Sequence, residues 1–425
     1  MQQQRRLSPP FTRVRAIPHA RAHRRPRDLP VVGLLALAAA IFIAQTAEFL
    51  PGGLVPHISD DLGVEAALVG QMISVFAFTV VLTTAPLSLA FAKAPRKPLV
   101  IASLAIVSLG NLGVALAPGL EWIMGARVVG AMAHGLFWAV VATYAVEIVP
   151  REKLGRATAY TAVGGSLAGI LGIPIGNMLG EWFGWRIAFA VVALAGVATA
   201  AVLVRWLPAI GTKTSGANVT STKSSWDRSA IGIAAVCFLI LVLVLGQTAF
   251  GPYTTLWLED VAGFERSMIP LYLMITGVAG AVGAVVAGNL YDRYPRATFA
   301  LSGTVLTLSM VLLPVVASTG FSGALLAVAI CSSMGFAGLP MMLQTRMMHT
   351  ASPQLRRLAG AVQTTVFNVA IGGGAVIGGL VVVGPGVAVL PLLAAAAAVV
   401  TCLAAVLWDS LEAAASRRLA SSSMV

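Results

Sequence analysis

Val31-Val-Gly-Leu-Leu-Ala-Leu-Ala-Ala-Ala-Ile-Phe-Ile-Ala-Gln45-Thr46-Ala47-Glu48-Phe-Leu-Pro51-Gly-Gly-Leu54 decides the fold. A helix crosses a bilayer with roughly 20 mostly apolar residues, and this run exceeds that length. It is too long for the core of a signal peptide and no convincing cleavage site follows it. It reads as a first membrane span. Eleven further runs of the same kind follow, at 66–92, 98–117, 121–149, 155–180, 185–207, 229–257, 267–290, 298–317, 321–345, 358–383 and 386–408. Of the 425 residues, 58% are hydrophobic and 10% are charged, against about 25% charged in a soluble domain. Lipid offers no partner to exposed backbone groups, so spans of this length are helices. A β-barrel would show alternating segments of about 10 residues instead. The expected fold is all-α, with twelve transmembrane helices.

The net charge of +12 points first to nucleic acid, but its distribution points to a membrane. With the N-terminus placed in the cytoplasm, 25 of the 28 Lys and Arg fall on the cytoplasmic side, as the positive-inside rule requires. The opposite loops carry Asp60, Asp61, Glu65, Glu121, Glu181, Glu259, Asp260 and Glu265. A multi-pass protein of the inner (plasma) membrane with both termini cytoplasmic is expected, in contact with lipid and not with nucleic acid. Residues 1–30 hold eight arginines, five prolines and a single acid, Asp28. They read as a disordered basic cytoplasmic tail set against anionic lipid; a transit peptide is the other reading. Cys237, Cys331 and Cys402 lie in apolar runs without metal-ligand spacing and read as core residues.

The chain repeats itself at an offset of about 200 residues. Gln45-Thr46-Ala47 returns as Gln247-Thr248-Ala249, Lys93-Ala-Pro95-Arg96 as Arg293-Tyr-Pro295-Arg296, and Leu154-Gly-Arg156 as Leu355-Arg-Arg357. Each match is short, but each falls at the same place in a six-span half. An even number of spans gives the halves one orientation, so they form parallel repeats about an axis along the membrane normal. The expected units are a bundle over 31–207, a cytoplasmic linker over 208–228 rich in Ser, Thr and Lys, a second bundle over 229–408, and a cytoplasmic tail over 409–425.

Gly288-Asn-Leu-Tyr-Asp292-Arg293-Tyr-Pro-Arg296 follows span 8, and span 4 carries Arg127-Val-Val-Gly130. Span 1 carries an acid, Glu48, before Phe49 and Gly53-Leu-Val-Pro56, and span 5 carries Gly164-Gly165, Gly169, Gly172-Ile-Pro174-Ile-Gly176 and Gly180. Together these resemble the major facilitator superfamily, and within it the twelve-span drug:proton antiporter branch, which exports drugs, sugars and nucleosides. The resemblance covers about 31–408. The loop after span 2 departs from the pattern, with Ser88 and Ala92 in place of the glycine and aspartate. Span 4 has its glycine one residue early, and span 5 has Gly-Ile-Pro where a Gly-Pro pair is usual.

An ionisable group at membrane depth is costly and marks function by default. Glu48, Arg127 and His134 are therefore the candidate proton-coupling residues. Arg127 and His134, seven apart, share one helix face, and histidine titrates in the physiological range. Each has a plainer reading: Glu48 as a permanently protonated or ion-paired carboxyl, Arg127 as a cation snorkelling to the interface, His134 as a hydrogen-bonded packing residue. Gln45, Thr46, Gln71, Tyr253, Gln363 and Asn368 are candidate substrate-binding residues, or hydrogen-bonding links between helices. Glu147, Gly288, Asp292, Arg293, Gly172 and Pro174 are candidate gating residues, Asp292 as a charge latch and Gly172 with Pro174 as a bend.

No phosphate loop, metal-ligand spacing or nucleophile elbow appears, so an enzyme is not expected, nor a cofactor. The resemblance implies proton-driven export of a small molecule by a monomer working through alternating access. A proton-coupled importer of a small neutral nutrient is the alternative. A membrane scaffold or receptor that transports nothing is the further one.

Overall fold

The computed structural model describes residues 31–149, 163–208, 229–352 and 354–422. The expected basic tail, residues 209–228 of the expected linker and Leu154-Gly-Arg156 lie outside the described residues.

Twelve helices are long and apolar enough to cross a membrane. They are α1 (Val31–Gly53), α2 (Ala66–Ala90), α3 (Arg96–Ala115), α4 (Leu120–Val141), α5 (Val163–Phe183), α6 (Trp185–Trp206), α7 (Ser229–Asp260), α8 (Arg266–Arg293), α9 (Pro295–Ala317), α10 (Ser322–Thr350), α11 (Leu358–Val383) and α12 (Val387–Ser410). Large apolar side chains such as Leu82, Leu109, Leu194, Leu308, Leu403 and Leu407 face outward, which only a lipid surround rewards. Helix α4 continues to Glu147. Helix α12 runs on to Ser422, past the end read at 408 and into the expected tail. The apolar run stops there, but Leu411-Glu-Ala-Ala-Ala-Ser-Arg-Arg is made mostly of strong helix formers, so the helix propagates beyond the lipid-compatible stretch.

The packing obeys the repeat. In the first half α1 lies on α5 and α6, α2 on α4, and α3 on α4 and α6; in the second half α7 lies on α11 and α12, α8 on α10, and α9 on α10 and α12. The halves meet along α2 with α11 and α5 with α8, which the same six-helix shift interchanges. Fine structure repeats too: Thr46 packs on Gly172, and Thr248 packs on Gly374.

Polar contacts that join the halves gather at the end bearing the acidic loops. Thr255 Oγ1 donates to Gly52 O (3.1 Å), Gln71 Nε2 to Ala375 O (3.3 Å), and Arg266 pairs with Asp60 (2.7 Å). The Tyr253 hydroxyl lies 3.2 Å from both Ala67 O and Ala375 O. At the same end Asp61 holds Arg186 and the Trp185 indole, and Arg186 above all keeps its carboxyl below the usual range.

Candidate functional site

Pro51 starts the site. It lies inside α1 and has no N–H, so the carbonyl of Ala47 one turn back loses its helical donor. Arg127, buried in α4, fills that vacancy. Its Nη1 donates to Ala47 O (2.7 Å), its Nη2 to Glu48 O (2.9 Å) and its Nε to Met72 O of α2 (3.3 Å). The guanidinium also lies 4.1 Å from the centre of the Phe76 ring, a favourable face for a cation. Arg127 thus fastens α1 and α2 to α4 and does not snorkel.

Two turns further along α4, His134 is 3% exposed and faces Glu48, itself 6% exposed. His134 Nε2 lies 3.5 Å from Glu48 Oε2. Gln45 Nε2 donates to the same carboxylate oxygen at 3.2 Å. The Trp138 indole N–H donates to His134 Nε2 at 2.8 Å, and the Phe76 ring meets the imidazole edge-on, centroids 4.9 Å apart. Glu48, Arg127 and His134 therefore come together in one buried cluster with Gln45. Trp138 is the member that sequence reasoning missed. Its signal was its position four residues after His134, on the same helix face.

The other candidates lie elsewhere. Thr46 is buried against Gly172, so the pair serves helix packing; its hydroxyl has no hydrogen-bond partner among the described residues. Gln71 and Tyr253 sit on the seam between the halves, where they bond backbone carbonyls. Gln363 is buried with an unpartnered Oε1 among the described residues. Asn368 donates to Thr364 O at 3.0 Å within α11. A small cavity of about 200 Å³ lies between the halves, lined by Phe49, Ile73, Thr248, Thr254 and Thr255 among others.

At the basic-loop end, Asp292 and Arg293 are exposed, and Asp292 forms no ion pair among the described residues. The carboxylate that gathers charge there is Asp409 of α12, which pairs with Arg346 and, at 3.7 Å, with Arg296. Sequence reasoning placed Asp409 in a tail and missed it. Gly288 lies against the tip of Met341. Ala168–Gly172 forms a single π-helical turn just before Pro174, the local widening that accommodates a bend. The Glu147 side chain lies outside the described residues.

Among the described residues no cluster of three or more metal-ligating side chains occurs. The arrangement sets a carboxyl and an imidazole, two groups of proton-exchanging chemistry, in one buried contact, and an arginine fixes the backbone that carries the carboxyl.

A probable sugar efflux transporter of Pasteurella multocida (strain Pm70) is 28% identical over 345 residues, covering 81% of this chain and 84% of that protein. A peptide transporter POT in complex with sulfate superposes with a TM-score of 0.72 at 13% identity, over 89% of this chain and 94% of the other. A bacterial homolog of the human lysosomal transporter Spinster, inward-facing and unoccupied, gives 0.68 at 15% identity, over 89% and 95%. Residues 37–375 and 236–424 match the Major Facilitator Superfamily. The chain belongs to that superfamily and is a membrane transporter, not an enzyme.

Proposed function

We propose that the protein is a proton-driven exporter of a small molecule, with sugars the first class to test. The observation that carries the reading is the buried Glu48–His134 contact beside Arg127. A carboxyl and an imidazole at membrane depth are costly unless they work, and together they can take up and release a proton as the halves move. The relative described as a probable sugar efflux transporter supports both the export direction and the substrate class. In the second half, Phe250 stands where the Gln-Thr-Ala frame would put the counterpart of Glu48. The coupling group is thus confined to the first half, and the second half is free to supply neutral polar contacts such as Thr248 and Thr254 around the cavity between the halves.

This reading takes the basic-loop end as cytoplasmic, in the plasma membrane, with the bundles 31–207 and 229–408 as the two rocking bodies. The halves then meet at the outer end. The Tyr253, Gln71 and Asp60–Arg266 contacts are the outer gate, and α5 with its π turn and Pro174 is an element that bends. A proton bound from outside biases the halves in one direction and substrate bound from the cytoplasm biases them in the other. Coupling requires only that each ligand bind the two states unequally.

The test is uptake into everted membrane vesicles made acidic inside, with labelled sugars, nucleosides, chloramphenicol and lipophilic cations, in native protein and in Glu48→Gln. Gradient-dependent uptake of a sugar is expected in the native protein. In Glu48→Gln it drops to the level seen when the gradient is collapsed, with the protein still folded in the membrane. Full gradient-driven transport by Glu48→Gln would sink the coupling role. Uptake seen only in whole cells would replace export with import.

A further inference from the structure

Two partners make opposite demands on one atom. The Trp138 indole nitrogen is a donor only, and it donates to His134 Nε2 at 2.8 Å. Glu48 Oε2 lies 3.5 Å from that same nitrogen. A ring nitrogen that accepts an N–H carries no proton of its own. His134 in this arrangement is therefore the neutral imidazole with its proton on Nδ1, and Nδ1 is buried without a hydrogen-bond partner among the described residues. The imidazolium would carry a proton on Nε2, could pair with the Glu48 carboxylate, and would have to expel the Trp138 N–H. The two arrangements exclude each other.

We propose that Trp138 is a positioning residue of the proton site: its indole N–H competes with the proton for Nε2 of His134 and so sets the pH at which the His134–Glu48 pair loads. This inference deepens the proton-coupled reading above and rests on it for its functional meaning. The exchange balances simply. One proton arrives at Nε2, the imidazole becomes an imidazolium, the indole N–H is released, and the carboxylate gains an ion pair; loss of the proton reverses each step.

The surroundings leave few other controls. Among the described residues, the ionisable group paired with His134 is Glu48 from α1; Arg127, two turns back on the same face of α4, has its guanidinium spent on three backbone carbonyls. Helix α2 brings the Phe76 ring. Gln45 donates to the Glu48 oxygen nearest the imidazole. The α-helical step of four residues fixes the indole to the imidazole through the backbone they share, so the bond travels with α4 when the first half moves as a body. Contact with Glu48, on α1, depends on how α1 and α4 sit together.

The sign follows from the geometry. The indole N–H stabilises the neutral ring alone, so removing it makes protonation easier and moves the His134 midpoint to higher pH. A single hydrogen bond of ordinary net strength corresponds to a rise of about 0.4–1 pH unit.

The experiment is a pH titration of purified full-length protein in lipid nanodiscs, with ring-15N-labelled histidine read by magnetic resonance and the His134 signal assigned by its loss in His134→Gln. Two variants are compared. Trp138→Phe keeps an aromatic ring and loses the donor; Trp138→Gln loses the ring and keeps a donor. The expected result is a raised midpoint in Trp138→Phe and a near-native midpoint in Trp138→Gln. An unmoved midpoint in Trp138→Phe, or an equal rise in both variants, overturns the proposal. The native protein gives a second check that needs no variant: above its midpoint His134 must carry its proton on Nδ1, and an Nε2–H ring overturns the proposal. The pH profile of vesicle transport separates this inference from the reading beneath it. If the His134 midpoint moves and the transport profile stays, Trp138 controls the histidine as stated and proton coupling through His134 is what fails.

Discussion

Arg127 shows how little charge alone says about what a residue binds. At membrane depth a guanidinium suggests a proton relay or an interface anchor, yet each of its nitrogens donates to a backbone carbonyl. One of these, Ala47 O, is free because Pro51 removed its helical partner. The two residues form a complementary pair, so their substitutions must be coupled. Arg127→Met leaves the Ala47 carbonyl buried and unpaired, at a cost of about 1–3 kcal/mol. Pro51→Ala restores an N–H for that carbonyl. In the native background Pro51→Ala is expected to be nearly neutral, and in Arg127→Met it is expected to recover a large part of the lost stability. Thermal unfolding of the four proteins in one detergent measures the cycle; purely additive effects would show that the pairing is not energetic.

At the scale of the element, α5 and α11 are built for close approach. On α5, Gly164 faces the Ala38 carbonyl, Gly172 faces Thr46, Gly176 faces Leu50 and Gly180 faces Leu54, so a row of small residues receives a row from α1. Asn177 adds a hydrogen bond to Gly53 O. On α11, Gly374 and Gly378 receive α7 in the same way, and where Gly172 meets a side-chain hydroxyl Gly378 meets the backbone carbonyl of Ala249. That difference gives a graded prediction. Gly172→Ala meets a side-chain hydroxyl that has no hydrogen-bond partner among the described residues, so it can turn aside. Gly378→Ala meets backbone that cannot. Gly378→Ala is expected to cost about 1–3 kcal/mol, within the range of overpacking, and Gly172→Ala clearly less. Thermal unfolding of the two variants side by side decides it, and a Gly172→Ala penalty equal to or above that of Gly378→Ala would reject the argument.

Across the whole molecule, the acidic-loop end carries contacts of unequal strength. The Asp60–Arg266 pair joins the halves, but its side chains are 62% and 40% exposed, and an ion pair so open to water contributes at most about 1 kcal/mol. Tyr253 is fully buried between Ala67 O and Ala375 O. Asp60→Asn is therefore expected to shift the ratio of closed to open acidic-loop ends by no more than about fivefold, and Tyr253→Phe by more. Spin labels at Glu65 and Glu265, in the loops of opposite halves, read the populations by their distance distributions. A larger shift from Asp60→Asn than from Tyr253→Phe would mean that the charge pair, not the buried hydroxyl, holds this end.

The sequence by itself determined what depends on solvent and on periodicity. Twelve apolar runs in a chain with 10% charged residues leave only membrane helices, and the recurrence of Gln-Thr-Ala announced the repeat that packing then reproduced down to Thr46 on Gly172 and Thr248 on Gly374. It also singled out Glu48, Arg127 and His134, because an ionisable residue stands out against lipid-compatible neighbours. Only the tertiary structure decided what those residues touch. Hydropathy gives the depth of a side chain but not its direction, so it could not tell that Arg127 binds carbonyls, that Gln71 and Tyr253 lie on the seam between the halves, or that Trp138 bonds His134. The helix of Asp409 outran its apolar stretch, and its partners Arg346 and Arg296 come from α10 and α9. Burial against lipid is written along the chain one residue at a time, whereas a hydrogen bond between helices requires that two distant segments meet, and folding alone brings them together.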